Sequence, residues 1–127
     1  MDNQNTSDLK WILKKYEWIR ISEFGKQADR NAWLIVQHAD NHPKFQREIV
    51  LVLDKLWRLG ETNRINYAYL FDRTAASWSD LSKQRPQRYG TQGMCTGPGV
   101  WEPIEIEDSE NVDIRRAEVG LGTLQEY

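Results

Sequence analysis

The sequence predicts a mainly α-helical fold, a compact bundle of about five helices with one long, loop-rich lobe and room for a short β-hairpin. Apolar residues recur every three or four positions through most of residues 8–78, which is the spacing of amphipathic helices. Glycine and proline are concentrated in residues 86–103, where that spacing stops. The chain has 127 residues, 39% of them hydrophobic, which suffices for one core without a second domain.

The first helix is predicted to begin at Asp8, after a polar stretch. Its apolar positions follow the i, i+3, i+4, i+7 rule: Leu9, Ile12, Leu13 and Tyr16. Thr6 or Ser7 can supply the N-terminal cap. Residues 1–7 are therefore expected to form a flexible tail, and residues 8–127 a single helical domain.

The second and third helices flank a proline. The second is predicted over residues 24–39, and because it is apolar on most sides it should lie at the centre of the bundle. The polar residues at its C-terminal end would then be partly buried and would require hydrogen-bond partners. Pro43 suits the first turn of the third helix, which should end at Gly60.

The rest of the chain is predicted to contain two further helices around a long loop. The fourth helix is expected over residues 65–78, and the helical pattern is absent from residues 79–103. Within that loop, short strands are expected near residues 88–92 and 100–102. Acidic residues lead into a last helix over residues 109–119, which suits the dipole of its first turn.

Composition and charge argue against several classes of function. No apolar run approaches the roughly 20 residues of a membrane span, and the polar start lacks the features of a secretory signal, so a cytoplasmic location is expected. A net charge of -2 argues against a general affinity for nucleic acids. Cys95 is the single cysteine, and Pro43 interrupts the helical spacing between His38 and His42 that a metal site would need. We therefore expect no metal and no cofactor.

Several short segments carry a resemblance to a known family. They are WLIVQHAD at residues 33–40, FQ at 45–46, AYLFDR at 68–73, PQRYGTQ at 86–92 and RRAEVGL at 115–121. Together, over about residues 24–127, they resemble a widespread bacterial family of uncharacterised domains that shares QHAD, DR, YGTQ and RR…GL motifs. The sequence departs from that pattern at His42 and at Gly93-Met94-Cys95. The resemblance implies no established activity, but it directs the search for a site to these motifs.

His38 is the first candidate for chemistry, because an unperturbed histidine can exchange a proton near neutral pH. In a regular helix it points away from Asp40, so an orienting carboxylate would have to come from elsewhere. Asp72 on the fourth helix is the candidate: it would fix the imidazole tautomer while His38 acts as general acid or base. The alternative is a structural histidine whose ring nitrogens are hydrogen-bonded in the core.

Seven further residues are expected to bind substrate: Gln37, Asp40, Arg73, Tyr89, Thr91, Gln92 and Arg115. A guanidinium group binds a carboxylate or phosphate through two parallel hydrogen bonds, so the arginines predict an anionic small molecule. Two alternatives stay open. Asp72 and Arg73 could instead form an internal ion pair with Arg115 or Arg116, and the loop side chains could satisfy loop backbone.

Two classes of function follow. The first is a small-molecule enzyme of unknown substrate that uses His38 in a polar pocket with anion-binding arginines. The second is a non-catalytic binding or interaction module, such as an immunity or regulatory partner, in which the QHAD and YGTQ residues are structural. A protein partner would then bind exposed aromatic side chains, with Trp78 and Trp101 as the candidates.

Overall fold

The computed structural model describes residues 3–76 and 85–125, and it confirms the mainly helical fold with a small hairpin. The α-helices of this part of the chain are α1 (Asn3–Leu13), α2 (Ile21–Phe24), α3 (Lys26–Gln37), α4 (Pro43–Arg58), α5 (Arg64–Ala76) and α6 (Val112–Glu118). The antiparallel strands β1 (Gly93–Gly97) and β2 (Val100–Pro103) lie between α5 and α6 in the sequence. Trp78, one of the two candidate partner anchors, lies outside the described residues.

Helix α1 begins at Asn3, earlier than the predicted Asp8, so most of the expected tail is helical. The Nε2 atom of Gln4 donates to Asp8 Oδ1 at 2.9 Å, an i, i+4 contact that supports the first turns. Thr6 and Leu9 are buried and dock the helix on the core. The early start therefore follows from tertiary packing, which a polar sequence does not reveal.

The helix predicted over residues 24–39 is present as α3 over Lys26–Gln37, and it begins two residues later than predicted because Gly25 has a φ of +89°, which no α-helix contains. Helix α2 ends just before this glycine and α3 starts just after it. The buried residues of α3 are Asp29, Ala32, Val36 and Gln37. The helix contacts α1, α2, α4 and α5, which agrees with its predicted place at the centre of the bundle, although its buried residues share one face and do not cover most sides.

The prediction for α4 is confirmed at both ends: Pro43 occupies its first turn, and Gly60 follows it with a φ of +74°. The last helix is confirmed in part, because a 3₁₀ turn (Ser109–Asn111) precedes α6. Gly120, with a φ of +82°, lies directly after its end. Among the described residues, no helix combines the length and the apolarity required to cross a membrane.

Helices α3 and α5 run side by side in the same direction. Asp29, in the first turns of α3, accepts a hydrogen bond from the backbone N–H of Asn63, directly before α5, at 3.2 Å. Beyond the other end of α3, Asp40 binds Arg73 near the end of α5. Both helix N-termini therefore lie at one end of the bundle, and both C-termini lie at the opposite end.

The core lies between these helices, α4 and the loop of residues 87–92. Its buried members include Val36, Leu53, Leu56, Tyr67, Leu70, Phe71, Tyr89 and Val119. Three aromatic rings meet there: Tyr67, Phe71 and Tyr89 have centroids 5.9 to 6.3 Å apart. Burying one large apolar side chain stabilises a fold by roughly 1.5–3 kcal/mol, so this cluster holds the loop firmly against α5.

The second strand of the hairpin lies where it was predicted, at Val100–Pro103, but the first strand lies later in the chain than predicted. Gly93 pairs with Pro103, and Gly97 pairs with Val100, whereas the first strand was expected over residues 88–92. Trp101 lies over Gly93, where an added Cβ atom would come within 2.2 Å of the indole ring. Residues 88–92 therefore form no strand. They wrap instead around a carboxylate of α5.

Candidate functional site

Asp72 lies at the centre of a hydrogen-bond network formed by residues of the motifs. Its side chain is fully buried on α5. Oδ1 accepts the backbone N–H groups of Arg88 at 2.8 Å and Tyr89 at 3.0 Å. Oδ2 accepts the N–H of Thr91 at 2.9 Å and its hydroxyl at 2.8 Å. Burial raises the pKa of Asp72, and these four hydrogen bonds act in the opposite direction by stabilising the carboxylate.

The structure does not bring Asp72 and His38 together. Every described hydrogen bond of Asp72 goes to residues 88–91. His38 is exposed at the C-terminal cap of α3, and its ring makes no hydrogen bond to a described residue. The charge of His38 acts instead on Asp40, two residues along the chain. The catalytic roles assigned to this pair stay a prediction, without the contact that motivated them.

The YGTQ loop is closed by a glutamine that sequence reasoning did not select. Gln87 is fully buried, and its Nε2 atom donates to the carbonyl of Gln92 at 2.7 Å and of Ile104 at 2.8 Å. Its Oε1 atom accepts the N–H of Gln92 at 2.8 Å. Gly90 has a φ of +71°, and a Cβ atom there would meet Leu124 at 3.0 Å. The only sequence signal for Gln87 was its position inside PQRYGTQ.

Three residues expected to contact substrate from this loop are used within it. Tyr89 is buried against the aromatic rings of Tyr67 and Phe71, and burial raises its pKa. Thr91 is buried on Asp72. The side chain of Gln92 donates to the Thr91 hydroxyl at 3.2 Å. These groups orient the loop.

The two adjacent arginines of α6 bind backbone carbonyls. Arg115 donates through Nε to the carbonyl of Arg88 at 2.9 Å, and its other nitrogens reach the carbonyls of Glu107 and Asp108. Arg116, only 1% exposed, donates to the carbonyl of Tyr89 at 2.7 Å. It also donates to the carbonyl of Gly122 at 2.6 Å. The two arginines therefore hold adjacent carbonyls, those of Arg88 and Tyr89, in the same loop.

The acid of QHAD connects three segments. Asp40 receives two hydrogen bonds from Arg73, Nε to Oδ1 at 3.1 Å and Nη2 to Oδ2 at 2.6 Å. Gln46 of α4 donates to Asp40 at 3.2 Å and to the carbonyl of Val36 at 2.9 Å. Partial burial alone would raise the pKa of Asp40, but the hydrogen bonds from Arg73 and Gln46 outweigh it and hold the pKa below its ordinary value.

Gln37 of the QHAD motif has a buried polar atom that makes no hydrogen bond to a described residue. Gln37 is buried, and within residues 3–76 and 85–125 its Oε1 atom has no hydrogen-bond partner. Trp33 lies one helical turn earlier, and its Nε1–H is likewise buried without an acceptor. A donor and an acceptor left unpaired on one helix face mark a place where a water molecule or a polar ligand group fits.

A second buried acid, Asp29, was missed by the sequence reasoning. Its Oδ1 atom accepts the indole N–H of Trp18 at 2.7 Å and the hydroxyl of Thr62 at 2.6 Å. The signal was present, because Asp29 lies on the same helical stripe as Ala32 and Val36. An acid on an apolar stripe requires buried donors.

The opposite end of the bundle, at the N-termini of α3 and α5, contains a groove of about 440 Å³, here called the α3/α5 groove. Polar residues lining it include Lys26, Arg30, Asn63, Arg64 and Asn66. Two smaller grooves, of about 320 and 270 Å³, lie along α4. His38 and Asp72 line none of these three grooves. Across the described residues, no three His, Cys, Asp or Glu side chains converge as metal ligands would.

Comparisons with curated proteins and with solved structures find no match for this chain. A comparison with protein families does find one: the profile of DUF6624, a family of unknown function, matches residues 1–127. Because that match covers the whole sequence, the chain belongs to the DUF6624 family.

Proposed function

We propose that this protein acts by binding and not by catalysis, as a rigid helical module whose motif residues maintain its fold. The observation that carries the proposal is the environment of Asp72. A carboxylate has about four acceptor positions, and Asp72 receives four hydrogen bonds, all from residues 88–91. An acid saturated in this way positions a loop and has no acceptor position left for an imidazole.

The arginines support the same conclusion. An anion-binding arginine in an active site presents free N–H groups to the ligand. Arg115 and Arg116 donate instead to the carbonyls of residues 88, 89 and 122 and of the segment before α6. Arg73 forms a two-point contact with Asp40. The motif cations therefore satisfy groups of the protein itself.

The placement of His38 also favours a binding module. A general acid or base works best when its ring is held within hydrogen-bond reach of both a reacting group and an orienting partner. The exposed ring of His38 has no described hydrogen bond, and the neighbouring acid, Asp40, is engaged by Arg73. A rigid module instead needs a surface that ligands can reach and a frame that does not move when they bind.

An assay of hydrolysis tests the proposal. Purified protein is incubated with p-nitrophenyl acetate and with phenyl phosphate, and release of the phenol is followed beside His38→Ala and, as a surface control, Asp54→Asn. We expect identical, background rates from all three proteins. Turnover by the native chain that is lost in folded His38→Ala and kept in Asp54→Asn would overturn the proposal.

A second candidate function is the small-molecule enzyme, and one observation favours it. Gln37 directly precedes His38, and Trp33 lies one helical turn before Gln37; among the described residues, neither the Oε1 atom of Gln37 nor the Nε1–H of Trp33 has a hydrogen-bond partner. A substrate that donates one hydrogen bond and accepts another would satisfy both and would bring its reacting group toward the histidine. The hydrolysis assay above separates this candidate from the binding module.

A further inference from the structure

We propose that the α3/α5 groove is a binding site for a small organic phosphate, held by Lys26, Arg30 and Arg64. This inference rests on the proposed binding function and gives it a location and a ligand class. It concerns residues outside the QHAD, DR, YGTQ and RR…GL motifs, at the opposite end of the bundle from His38.

The charges of the groove are the first part of the argument. Lys26 and Arg30 lie four residues apart on α3, and neither forms an ion pair with a described residue. Arg64 on α5 makes one long hydrogen bond, of 3.4 Å, to the carbonyl of Glu118. Three cationic side chains from two helices thus line one cavity, and none of them forms an ion pair with a described carboxylate.

The one acid that lines the groove, Asp29, forms no ion pair with these cations and offsets at most one of their three charges. Asp29 is 1% exposed, and its oxygens are engaged by Trp18, Thr62 and Asn63. Its carboxylate therefore faces donors inside the core. The side chains that reach solvent in the groove are cationic, amide or apolar.

The backbone adds to the positive potential. Because α3 and α5 are parallel, the positive ends of both helix dipoles point to this end of the bundle. Gly25 at the N-cap of α3 has no side chain to accept hydrogen bonds from the first-turn N–H groups. A phosphate in the groove can accept them, as anions do at other helix N-termini.

The size and the walls of the groove indicate an organic ligand. About 440 Å³ falls within the range of small-molecule sites, and it exceeds what an inorganic anion fills. Ile21 and Ile65 provide apolar wall, while the side-chain amide of Asn66 and the NH2 group of Asn63, whose Oδ1 atom accepts the N–H groups of Ile65 and Asn66, can orient polar groups. A dianionic phosphate joined to a small apolar or mixed body matches these walls.

The test uses phenyl phosphate as the probe, titrated into ¹⁵N-labelled protein. Two variants with equal charge change are compared: Lys26→Gln with Arg30→Gln, which alters the groove, and Lys14→Gln with Lys15→Gln, which alters two exposed lysines in the turn after α1. We expect the amide signals of residues 26–30 and 63–66 to shift in the native chain. The groove variant should bind about tenfold more weakly, and the control within about twofold of the native chain.

Two results would overturn the inference: no shift at residues 26–30 and 63–66 at millimolar probe, or equal weakening by the two variants, which would indicate nonspecific attraction only. In either case the proposed binding function still stands if phenol release stays at background. Conversely, phenol release that depends on His38 would refute the proposed function, while groove shifts in the same sample would still support the phosphate site.

Discussion

Replacing Asp72 by asparagine should destabilise the fold strongly, because it keeps the shape of the side chain and removes half of its acceptor positions. The remaining carbonyl oxygen can still accept the N–H groups of Arg88 and Tyr89. The new NH2 group would face the N–H of Thr91, donor against donor, at the 2.9 Å now occupied by a hydrogen bond. The Thr91 hydroxyl can rotate and accept from it.

The magnitude follows from that count. A hydrogen bond to a charged group contributes about 1.5–3 kcal/mol, and a buried N–H left without an acceptor costs about 1–3 kcal/mol. Removing the buried charge offsets part of this loss of stability, because the charged carboxylate has a desolvation cost, which is also what raises the pKa of Asp72. We expect Asp72→Asn to lower the free energy of unfolding by about 2–4 kcal/mol, or the Tm by about 10 °C.

The assay is urea unfolding followed by tryptophan fluorescence, with amide hydrogen exchange as the local readout. Asp54→Asn is the matched control, because Asp54 is half-exposed on α4 and should cost no more than about 0.5 kcal/mol. In Asp72→Asn, exchange should accelerate first at residues 88–91. A stability within 0.5 kcal/mol of the native chain, or unchanged protection of residues 88–91, would refute the view that Asp72 holds this loop.

Three further predictions come from the same network. Arg73→Gln should raise the pKa of Asp40 toward its ordinary value in an NMR titration, since the two hydrogen bonds from Arg73 lower it. Because this pKa is lowered in the folded state, the stability that the pair contributes is present above the ordinary carboxyl pKa and is lost as pH falls through the lowered one. Arg116→Ala should lower the free energy of unfolding by about 3 kcal/mol, because it leaves buried carbonyls unpaired. Gly93→Ala should displace the ring of Trp101 and shift indole emission to the red, and it should lower the Tm because the added Cβ also lies 2.6 Å from the backbone carbonyl oxygen of Glu102 in β2.

Each has an outcome that contradicts it. An unchanged titration of Asp40 in Arg73→Gln would mean that the ion pair does not persist in solution. Native stability of Arg116→Ala would show that α6 does not help to hold the loop. Native emission from Gly93→Ala would show that Trp101 does not lie on the glycine.

Local features of the sequence predicted the helices well. Pro43, Gly60 and Gly120 lie where the helix boundaries require them, because capping and φ preferences act within a few residues. The periodicity of α4 was equally reliable, since its apolar stripe is the face it buries. Errors came where a single backbone angle overrode the pattern, as at Gly25, or where distant packing extended a helix, as at α1.

The sequence by itself thus determined the helical class and the polar motifs, but only the tertiary structure decided what each motif residue does. Asp72 and its donors are 16 to 19 residues apart, and Arg116 reaches a carbonyl 27 residues earlier. Spacing of that kind contains no periodic signal, so it cannot separate an acid that orients a histidine from one that holds a loop. That distinction depends on which donors the packed chain places around a buried carboxylate, because a buried charge is stable only where its hydrogen bonds are satisfied.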